Sequence, residues 1–326
     1  MRRHGRSVPS HRAGNRCAGD RRRGGRGQAG RSPGGLGSAN QQARRLRAAP
    51  AQALHRPHGT VCSGRAVNGA IGNGSGHRGD SRVTASDAEW RTRVDLAACY
   101  RLVARNGWDD LIYTHISAAV PDAEGQYLIN PFGLAFDEVR ASNLVKVDLQ
   151  GRIVGASRYP VNPTGFVIHG TVHAARPDAR CVMHLHTTAG IAVSMLRCGL
   201  LPVSQHAMRF YRNIAYHDYE GVALDPAEAV RLIADLGSHQ AMILRNHGVL
   251  TCGATVAEAY VLMATLEKAC VTQLAAMAAS SDLVVPPEDV LDRAVAQLID
   301  DTTPEGELEW PALLRRLERE DPGFAS

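Results

Sequence analysis

The chain has little lysine, no long apolar run and no paired cysteines. Among its 326 residues only Lys146 and Lys268 are lysines, so arginine carries most of the positive charge. No uninterrupted apolar run approaches the roughly 18 residues that indicate a membrane span, and no short apolar core follows the basic N-terminus as a signal peptide requires. We therefore predict neither a membrane-spanning protein nor one with a signal peptide.

The seven cysteines do not follow a disulfide pattern. Cys17 and Cys62 lie in the N-terminal part of the chain. The other five stand singly among apolar residues: Cys99, Cys181, Cys198, Cys252 and Cys270. An odd number without paired spacing favours small core residues over a disulfide framework. We expect a reduced, cytoplasmic protein.

Residues 1–82 differ in composition from the rest of the chain. They contain 17 arginines, no lysine and two acidic residues, Asp20 and Asp80, so they carry about +15 and the remainder about −10 of the net +5. We predict a disordered tail, because so little apolar surface cannot offset the entropy of ordering it. Translation from upstream of a true start near Val83 would yield the same composition, as would a transit-like leader. Arginine runs also bind phosphates, but nucleic acid is not the favoured partner.

Residues 83–326 show helix and strand periodicities in alternation. Helical spacing covers residues 87–107, 164–176, 187–199, 226–237 and 254–280, and a C-terminal helix covers 309–320 after a polar linker. Strand patterns cover residues 127–133, 180–186, a hairpin at 144–155 and two strands around a glycine turn within 240–253. Helix 254–280 is apolar around most of its circumference, which predicts burial. The combination predicts one α/β domain with a mixed sheet between helices.

Two histidines lie one residue apart in the apolar strand pattern "RCVMHLH". Residues two apart in a strand point to the same side, so His184 and His186 share a face with Val182. His247 ends another buried strand in "RNHGVL", directly before a glycine that permits a sharp turn. Three histidines around one open position are used by zinc and other divalent ions in catalysis. The alternative interpretation is a set of core histidines with satisfied hydrogen bonds.

The chain resembles the class II aldolase/adducin family over roughly residues 88–280. The resemblance is carried by "YTHISAAVPDAEGQYLINPFGLAFDEVRASNLVKVDLQGRIVG", "RPDARCVMHLHTTAGIAVS" and "AMILRNHGVLTCGATVAEAYVLMATLEKAC". It implies a three-layer fold with a mixed central sheet between helix layers, and a homotetramer with active sites near subunit contacts. It also implies one divalent ion held by His184, His186 and His247, with Zn²⁺ favoured over Mn²⁺ or Fe²⁺, acting as a Lewis acid.

Several positions depart from the sugar-phosphate aldolases of this family. Gly165 stands where those enzymes carry a glutamate as acid/base, and His115 stands at the asparagine of their Gly-Asn-x-Ser phosphate turn. Phe132 and Gly133 replace a Thr-Gly phosphate contact. Because these phosphate-binding signals are missing together, the chain is more similar to the adducin-like bacterial branch. Relatives of that branch include decarboxylases and iron oxygenases acting on aromatic acids.

Further polar residues have two readings each. His115 is our candidate for the acid/base that replaces the missing glutamate, and a structural hydrogen-bonding role is the alternative. His206 and Tyr211 either line the substrate pocket together with Phe132, Gly133 and Gly165 or pack in the core. Asn246 is predicted to orient the turn that carries His247.

Three other features favour structural roles. His169 and His173 have the i, i+4 helical spacing that can bind a metal, but His169 matches a family position without that function. Arg245 is interpreted as an ion-pair partner in preference to a clamp on the substrate. The segment "YHDYEG", residues 216–221, is interpreted as a polar loop.

Three functions follow as hypotheses. The first is a metal-dependent lyase, of aldolase or decarboxylase type, acting on a small unphosphorylated oxo- or hydroxy-acid. The second is a non-catalytic adducin-like assembly or cytoskeletal, actin-type interaction module, which the missing glutamate favours. The third is a non-haem Fe(II) oxygenase acting on an aromatic acid.

Overall fold

The structure is a computed structural model that describes residues 84–221, 226–299 and 305–326. The interpretations of residues 1–82 concern a segment outside these ranges. They stay predictions, as does the boundary near Val83.

A mixed sheet of seven strands forms the centre of the described chain. The strands are β1 (His115–Ala119), β2 (Gln126–Ile129), β3 (Val145–Asp148), β4 (Cys181–Leu185), β5 (Ala215–His217), β6 (Ala241–Leu244) and β7 (Gly248–Gly253). Their order is β3-β2-β1-β4-β7-β6-β5. Only β5 and β6 pair in parallel, and the other neighbours are antiparallel. The predicted mixed sheet is confirmed.

Helices lie on both faces of this sheet. They are α1 (Asp87–Arg105), α2 (Pro163–Ala175), α3 (Thr188–Ser194), α4 (Gln205–Met208), α5 (Pro226–Leu236), α6 (Val256–Ala279), α7 (Glu288–Leu298) and α8 (Glu309–Glu320), with 3-10 turns at Phe136–Glu138 and Pro322–Ala325. Helix α1 begins where the Ser86 side chain accepts a hydrogen bond from the Glu89 amide, and Thr255 caps α6 in the same way.

Strand alternation separates the core into two layers. On β4, Met183 and Leu185 belong to the apolar cluster that α1, α3 and α6 cover, whereas Val182 belongs to the cluster under α2 and α5. The three-layer α/β fold is therefore confirmed. Its consequence for function is that His184 must project into the layer of α2 and α5.

Helix α6 is, within the described ranges, the one helix long and apolar enough by composition to cross a membrane. In this fold α6 packs along β7 and β4, and residues such as Leu262 and Met263 are fully buried. Burial extends along one side of α6 as far as Gln273, but Val271 is 47% exposed, so the burial predicted for most of its circumference is incomplete.

The local predictions differ from the structure at four places. Residues 216–221 begin as strand β5, which is too short to show a strand period. The second arm of the hairpin at 144–155 is reduced to one bridge, Val147 with Ile153, because the chain turns away after it. Strand β1 is not among the predicted strands, and it begins at His115 directly after Thr114, which has a left-handed φ of 64°. The polar linker contains α7, which buries only Leu291.

Candidate functional site

Three imidazoles converge beside the central sheet. His184 lies on β4, His186 directly follows β4, and His247 lies in the turn between β6 and β7. Each can offer one ligand nitrogen, and these nitrogens all lie within 4.8 Å of one another. The antiparallel pairing of β4 with β7 brings the turn beside the end of β4, with Leu185 opposite Val249. The structure therefore brings the three predicted metal ligands together.

Hydrogen bonds orient two of these rings. The Nδ1 atom of His184 lies 3.2 Å from the carbonyl oxygen of Val249, and Nδ1 of His186 lies 2.9 Å from Oδ2 of Asp110. Each Nδ1 faces an acceptor and so carries the proton, which leaves the Nε2 lone pair for a ligand. The Nε2 atom of His186 is buried and has no hydrogen-bond partner in the described chain.

Burial keeps two of the three site imidazoles, those of His184 and His247, neutral. Desolvation, followed by the neighbouring His247, lowers the pKa of His184 well below its usual range. Desolvation, followed by His186, lowers the pKa of His247 to about 4. Neutral nitrogens are what a divalent cation requires. Together with the unpartnered Nε2 of His186, this donor set fits a divalent metal.

Gly248 permits the close approach of β7 to these rings. A Cβ atom at Gly248 would lie 2.6 Å from the Leu185 carbonyl oxygen and 3.0 Å from Cδ2 of His186. The neighbouring Asn246 is exposed and has a left-handed φ of 56°. Its backbone amide nitrogen lies 3.4 Å from the Ser194 carbonyl oxygen. The structure records no hydrogen bond of the Asn246 side chain among the described residues, so the role of Asn246 in orienting the turn stays a prediction.

Replacing Gly248 with alanine should disturb both the sheet and the metal site. The clash is with backbone, so β4 and β7 must separate, and overpacking of this kind costs about 1–3 kcal/mol of unfolding free energy. We expect a lower denaturation midpoint and a lower metal content in elemental analysis. Gly323→Ala is the matched control, because Gly323 lies in the C-terminal 3-10 turn, has no left-handed φ, and a Cβ there would come no closer than 3.6 Å to another atom. Parent-like stability and metal content in Gly248→Ala would contradict this account.

A cavity of about 410 Å³ opens over the three histidines. Its lining residues are Asp110, Tyr113, Thr114, His115, Phe132, Asn162, Ile168, His184, His186, Tyr219, Gly221 and His247. None of these described lining residues is a lysine or an arginine. The cavity has the size of a site for a small molecule.

His115 lies at the cavity and is buried. Desolvation, followed by the neighbouring His186 and His247, lowers the pKa of His115 to about 3. Its ring stands 6.1 Å from that of His184, centroid to centroid. A Cβ atom at Gly165 would lie 3.1 Å from Cδ2 of His115. The His115 ring therefore occupies the space beside Gly165, and it is neutral near pH 7.

His169 and His173 are held away from the metal candidates. Both bond to the Ser117 hydroxyl, through Nδ1 of His169 at 2.6 Å and Nε2 of His173 at 2.8 Å. Burial lowers the pKa of His169 well below its usual range and that of His173 to about 4. This buried network joins α2 to β1, in agreement with the structural interpretation.

Several predicted residues are not among the described lining residues of this cavity, including Gly165, which lies beside the His115 ring. His206 is exposed on α4, Tyr211 is half-buried after it, and neither is among the described lining residues of the cavity. Gly133 has a left-handed φ of 105° and follows the lining residue Phe132. Arg245 donates to the Leu196 carbonyl oxygen and stacks on a tyrosine ring, so the structure gives it backbone and aromatic contacts instead of the predicted ion pair.

Sequence reasoning missed several cavity residues. Asp110 orients His186, and Thr114 combines a left-handed backbone with a buried hydroxyl that has no hydrogen-bond partner among the described residues. Tyr113, Asn162 and Tyr219 also line the cavity. All five lie outside the regular strands and helices, where no periodicity marks a functional face. For Thr114 the sequence did offer a signal, because "YTHIS" opens one of the stretches that carry the family resemblance.

The match to known proteins covers most of the described fold. Residues 94–274 match the family described as Class II Aldolase and Adducin N-terminal domain. The chain belongs to the class II aldolase/adducin family. Its resemblance to that family, expected from the motifs, is confirmed.

Two bacterial relatives extend this similarity to nearly their whole length. A Pseudomonas aeruginosa protein with the provisional name aldolase class 2 protein is 50% identical over 249 residues, which is 75% of this chain and 96% of that protein. A Caulobacter vibrioides protein with the same provisional name is 51% identical over 241 residues, 74% of this chain and 94% of that protein. Mouse alpha-adducin is 44% identical over 206 residues, 62% of this chain but only 28% of adducin.

Solved structures share the fold. An aldolase II superfamily protein from Pseudomonas syringae superposes with a TM-score of 0.74 at 48% identity, covering 76% of this chain and all of that one. L-fuculose 1-phosphate aldolase from Glaciozyma antarctica superposes with a TM-score of 0.65 at 28% identity, covering 72% of this chain and 92% of that one.

Proposed function

We propose that this chain is a metal-dependent carbon–carbon lyase, of aldolase or decarboxylase type, acting on a small unphosphorylated oxo- or hydroxy-acid. The observation that carries the proposal is the convergence of three imidazoles on one cavity, with Nε2 of His186 buried and without a hydrogen-bond partner among the described residues. His184, His186 and His247 would hold one divalent cation, Zn²⁺ in the first instance. When bound, the cation supplies Lewis-acid stabilisation of a substrate oxygen.

The cavity lining supports an unphosphorylated substrate. A phosphate dianion is usually bound by arginine or lysine side chains, and the described lining residues include no cationic side chain. They offer neutral donors instead, among them the hydroxyl of Thr114 and the amide of Asn162. These groups suit a carboxylate or carbonyl oxygen. Phe132 and Ile168 contribute apolar wall that limits water.

His115 has a defined but restricted role in this proposal. Because its pKa is lowered to about 3, it is an unprotonated base or a neutral hydrogen-bond donor near pH 7, and not an imidazolium acid. It lies within the cavity and so remains the candidate catalytic residue. Because His115 is buried, a proton that it takes from the substrate must reach solvent through another group.

The proposal is tested with full-length protein purified without chelators and loaded with Zn²⁺. We expect the loaded protein to exchange the methyl protons of pyruvate for deuterium in D2O, because proton removal beside a carbonyl is the partial reaction that such lyases share. Proton NMR follows the exchange, and chelator-treated protein is the control. A wider panel of oxo- and hydroxy-acids, each with a phosphorylated counterpart, then tests cleavage and decarboxylation.

The similarity to alpha-adducin supports a second candidate, a non-catalytic assembly module. Bound metal without exchange or turnover of any panel acid would favour that candidate over the lyase. Oxygen consumption by Fe²⁺-loaded protein with an aromatic acid would instead favour the oxygenase. The homotetramer implied by the family resemblance belongs to the same proposal, and light scattering tests it.

A further inference from the structure

A histidine–carboxylate pair lies beside the metal candidates and outside the main cavity. His217 ends β5 and Asp235 lies on α5, and Nδ1 of His217 is 2.7 Å from Oδ2 of Asp235. The His217 side chain is only 4% exposed, whereas that of Asp235 is 46% exposed. The pair therefore connects the solvent at α5 with the layer into which His184 projects.

The other nitrogen of His217 faces the interior. Its Nε2 atom is buried and has no hydrogen-bond partner among the residues that the structure describes. Oε1 of Glu228 lies 3.9 Å from it, too far for a hydrogen bond but close enough for one water to bridge the two atoms. Because Nδ1 faces a carboxylate and carries a proton, Nε2 is the atom that can accept or release one.

A small cavity lies between His217 and the three-histidine site. It has a volume of about 10 Å³, and its lining includes His217, Glu228, Arg245, Tyr219 and His247. This volume is about that of one water-sized probe sphere, the lower limit for a buried water. Tyr219 and His247 also line the main cavity, as does Ile168, so the two cavities adjoin.

The two predicted acid/base positions at the main cavity, Gly165 and His115, do not exchange protons with solvent. Gly165 supplies no carboxylate, and His115 is buried and neutral, so neither residue brings protons from solvent. An imidazole oriented by a carboxylate through Nδ1, with Nε2 directed at a site, is a recurrent acid/base arrangement in enzymes. His217 and Asp235 have this arrangement, and their partly exposed carboxylate reaches solvent.

We propose that His217 relays protons between solvent and the three-histidine site, with Asp235 as its positioning residue. The inference rests on the proposed lyase function. When a C–H bond beside the substrate carbonyl breaks, its electron pair forms the carbon–carbon double bond of an enolate and the carbonyl π pair moves onto oxygen, while the proton passes through a water in the small cavity to Nε2 of His217. The reverse transfer returns a solvent proton to carbon.

The test uses the Zn²⁺-loaded full chain and the deuterium exchange of pyruvate. His217→Gln should slow exchange by about 10² or more, within the range for a lost acid/base, while metal content and melting temperature stay close to the parent. Asp235→Asn, at a half-exposed position, should slow exchange less. Imidazole added to His217→Ala should restore part of the rate, which a purely structural role of His217 would not allow. His239→Gln is the matched histidine control.

A second measurement does not depend on activity. Nitrogen NMR of the Zn²⁺-loaded chain should show His217 with a proton on Nδ1 and none on Nε2, and Asp235→Asn should change this tautomer. A proton fixed on Nε2 in the parent would overturn the proposal. Parent-like exchange in His217→Gln would also overturn it. Loss of the metal in both His217→Gln and Asp235→Asn would do the same. A metal-loaded parent that neither exchanges pyruvate nor turns over any acid of the panel would overturn the lyase function itself, and the relay with it.

Discussion

Replacing His184 with alanine should reduce the bound divalent metal from about one ion per chain to less than about a tenth of one, because catalytic zinc sites depend on three protein ligands. The His184 side chain is 2% exposed, and its Nδ1 faces the Val249 carbonyl oxygen, so its Nε2 direction is fixed before any ion binds. Two remaining imidazoles cannot enclose the cation. Elemental analysis of protein purified without chelators measures the loss.

Two further variants separate loss of a ligand from general damage. Asp110→Asn keeps all three imidazoles but weakens the acceptor for Nδ1 of His186, and losing such a supporting contact costs about 10- to 100-fold in metal affinity. His239→Ala removes an imidazole elsewhere and should leave the metal content unchanged. Both variants, and His184→Ala, should retain most of the fold, because apolar burial across seven strands stabilises the sheet. Full metal retention by His184→Ala would exclude the three-histidine site.

The shared face of His184 and His186 could be predicted from sequence because it depends only on the two-residue period of a strand. The position of His247 could not be derived in this way. Its proximity to β4 depends on the pairing of β4 with β7, two strands separated by α3, α4, β5, α5 and β6. The family resemblance supplied that long-range relation, and the structure agrees with it.

The residues that sequence reasoning missed share one physical property. Asp110 and Thr114 lie in irregular chain before β1, where neither helical nor strand spacing applies. His217 lies on a strand of three residues, and its partner Asp235 follows 18 positions later on a different element. Contacts of this kind are set by tertiary packing. The regular elements that carry long apolar patterns, such as α1 and α6, were predictable because burial imposes their period.

Cleavage of L-fuculose 1-phosphate by this chain should be slower than that of a sugar-phosphate aldolase by at least about 10² to 10⁴, the usual cost of a missing acid/base. The residue at the glutamate position is Gly165, and the described cavity lining offers no cationic side chain to a phosphate. Lost phosphate contacts should weaken binding further. The measurement compares this substrate with an unphosphorylated oxo-acid at equal enzyme and metal concentrations.

Introducing the carboxylate should not restore sugar-phosphate cleavage. A Cβ atom at Gly165 would lie 3.1 Å from both Cδ2 of His115 and Cδ1 of Ile129, so Gly165→Glu must displace a buried ring before its carboxylate reaches the cavity. We expect this variant to lose activity on the unphosphorylated acid and to gain none on the sugar phosphate. His115→Ala should also depress turnover of the acid strongly, because it removes the neutral imidazole by which β1 lines the cavity. Efficient sugar-phosphate cleavage by the parent, or parent-like turnover by His115→Ala, would contradict this division of roles.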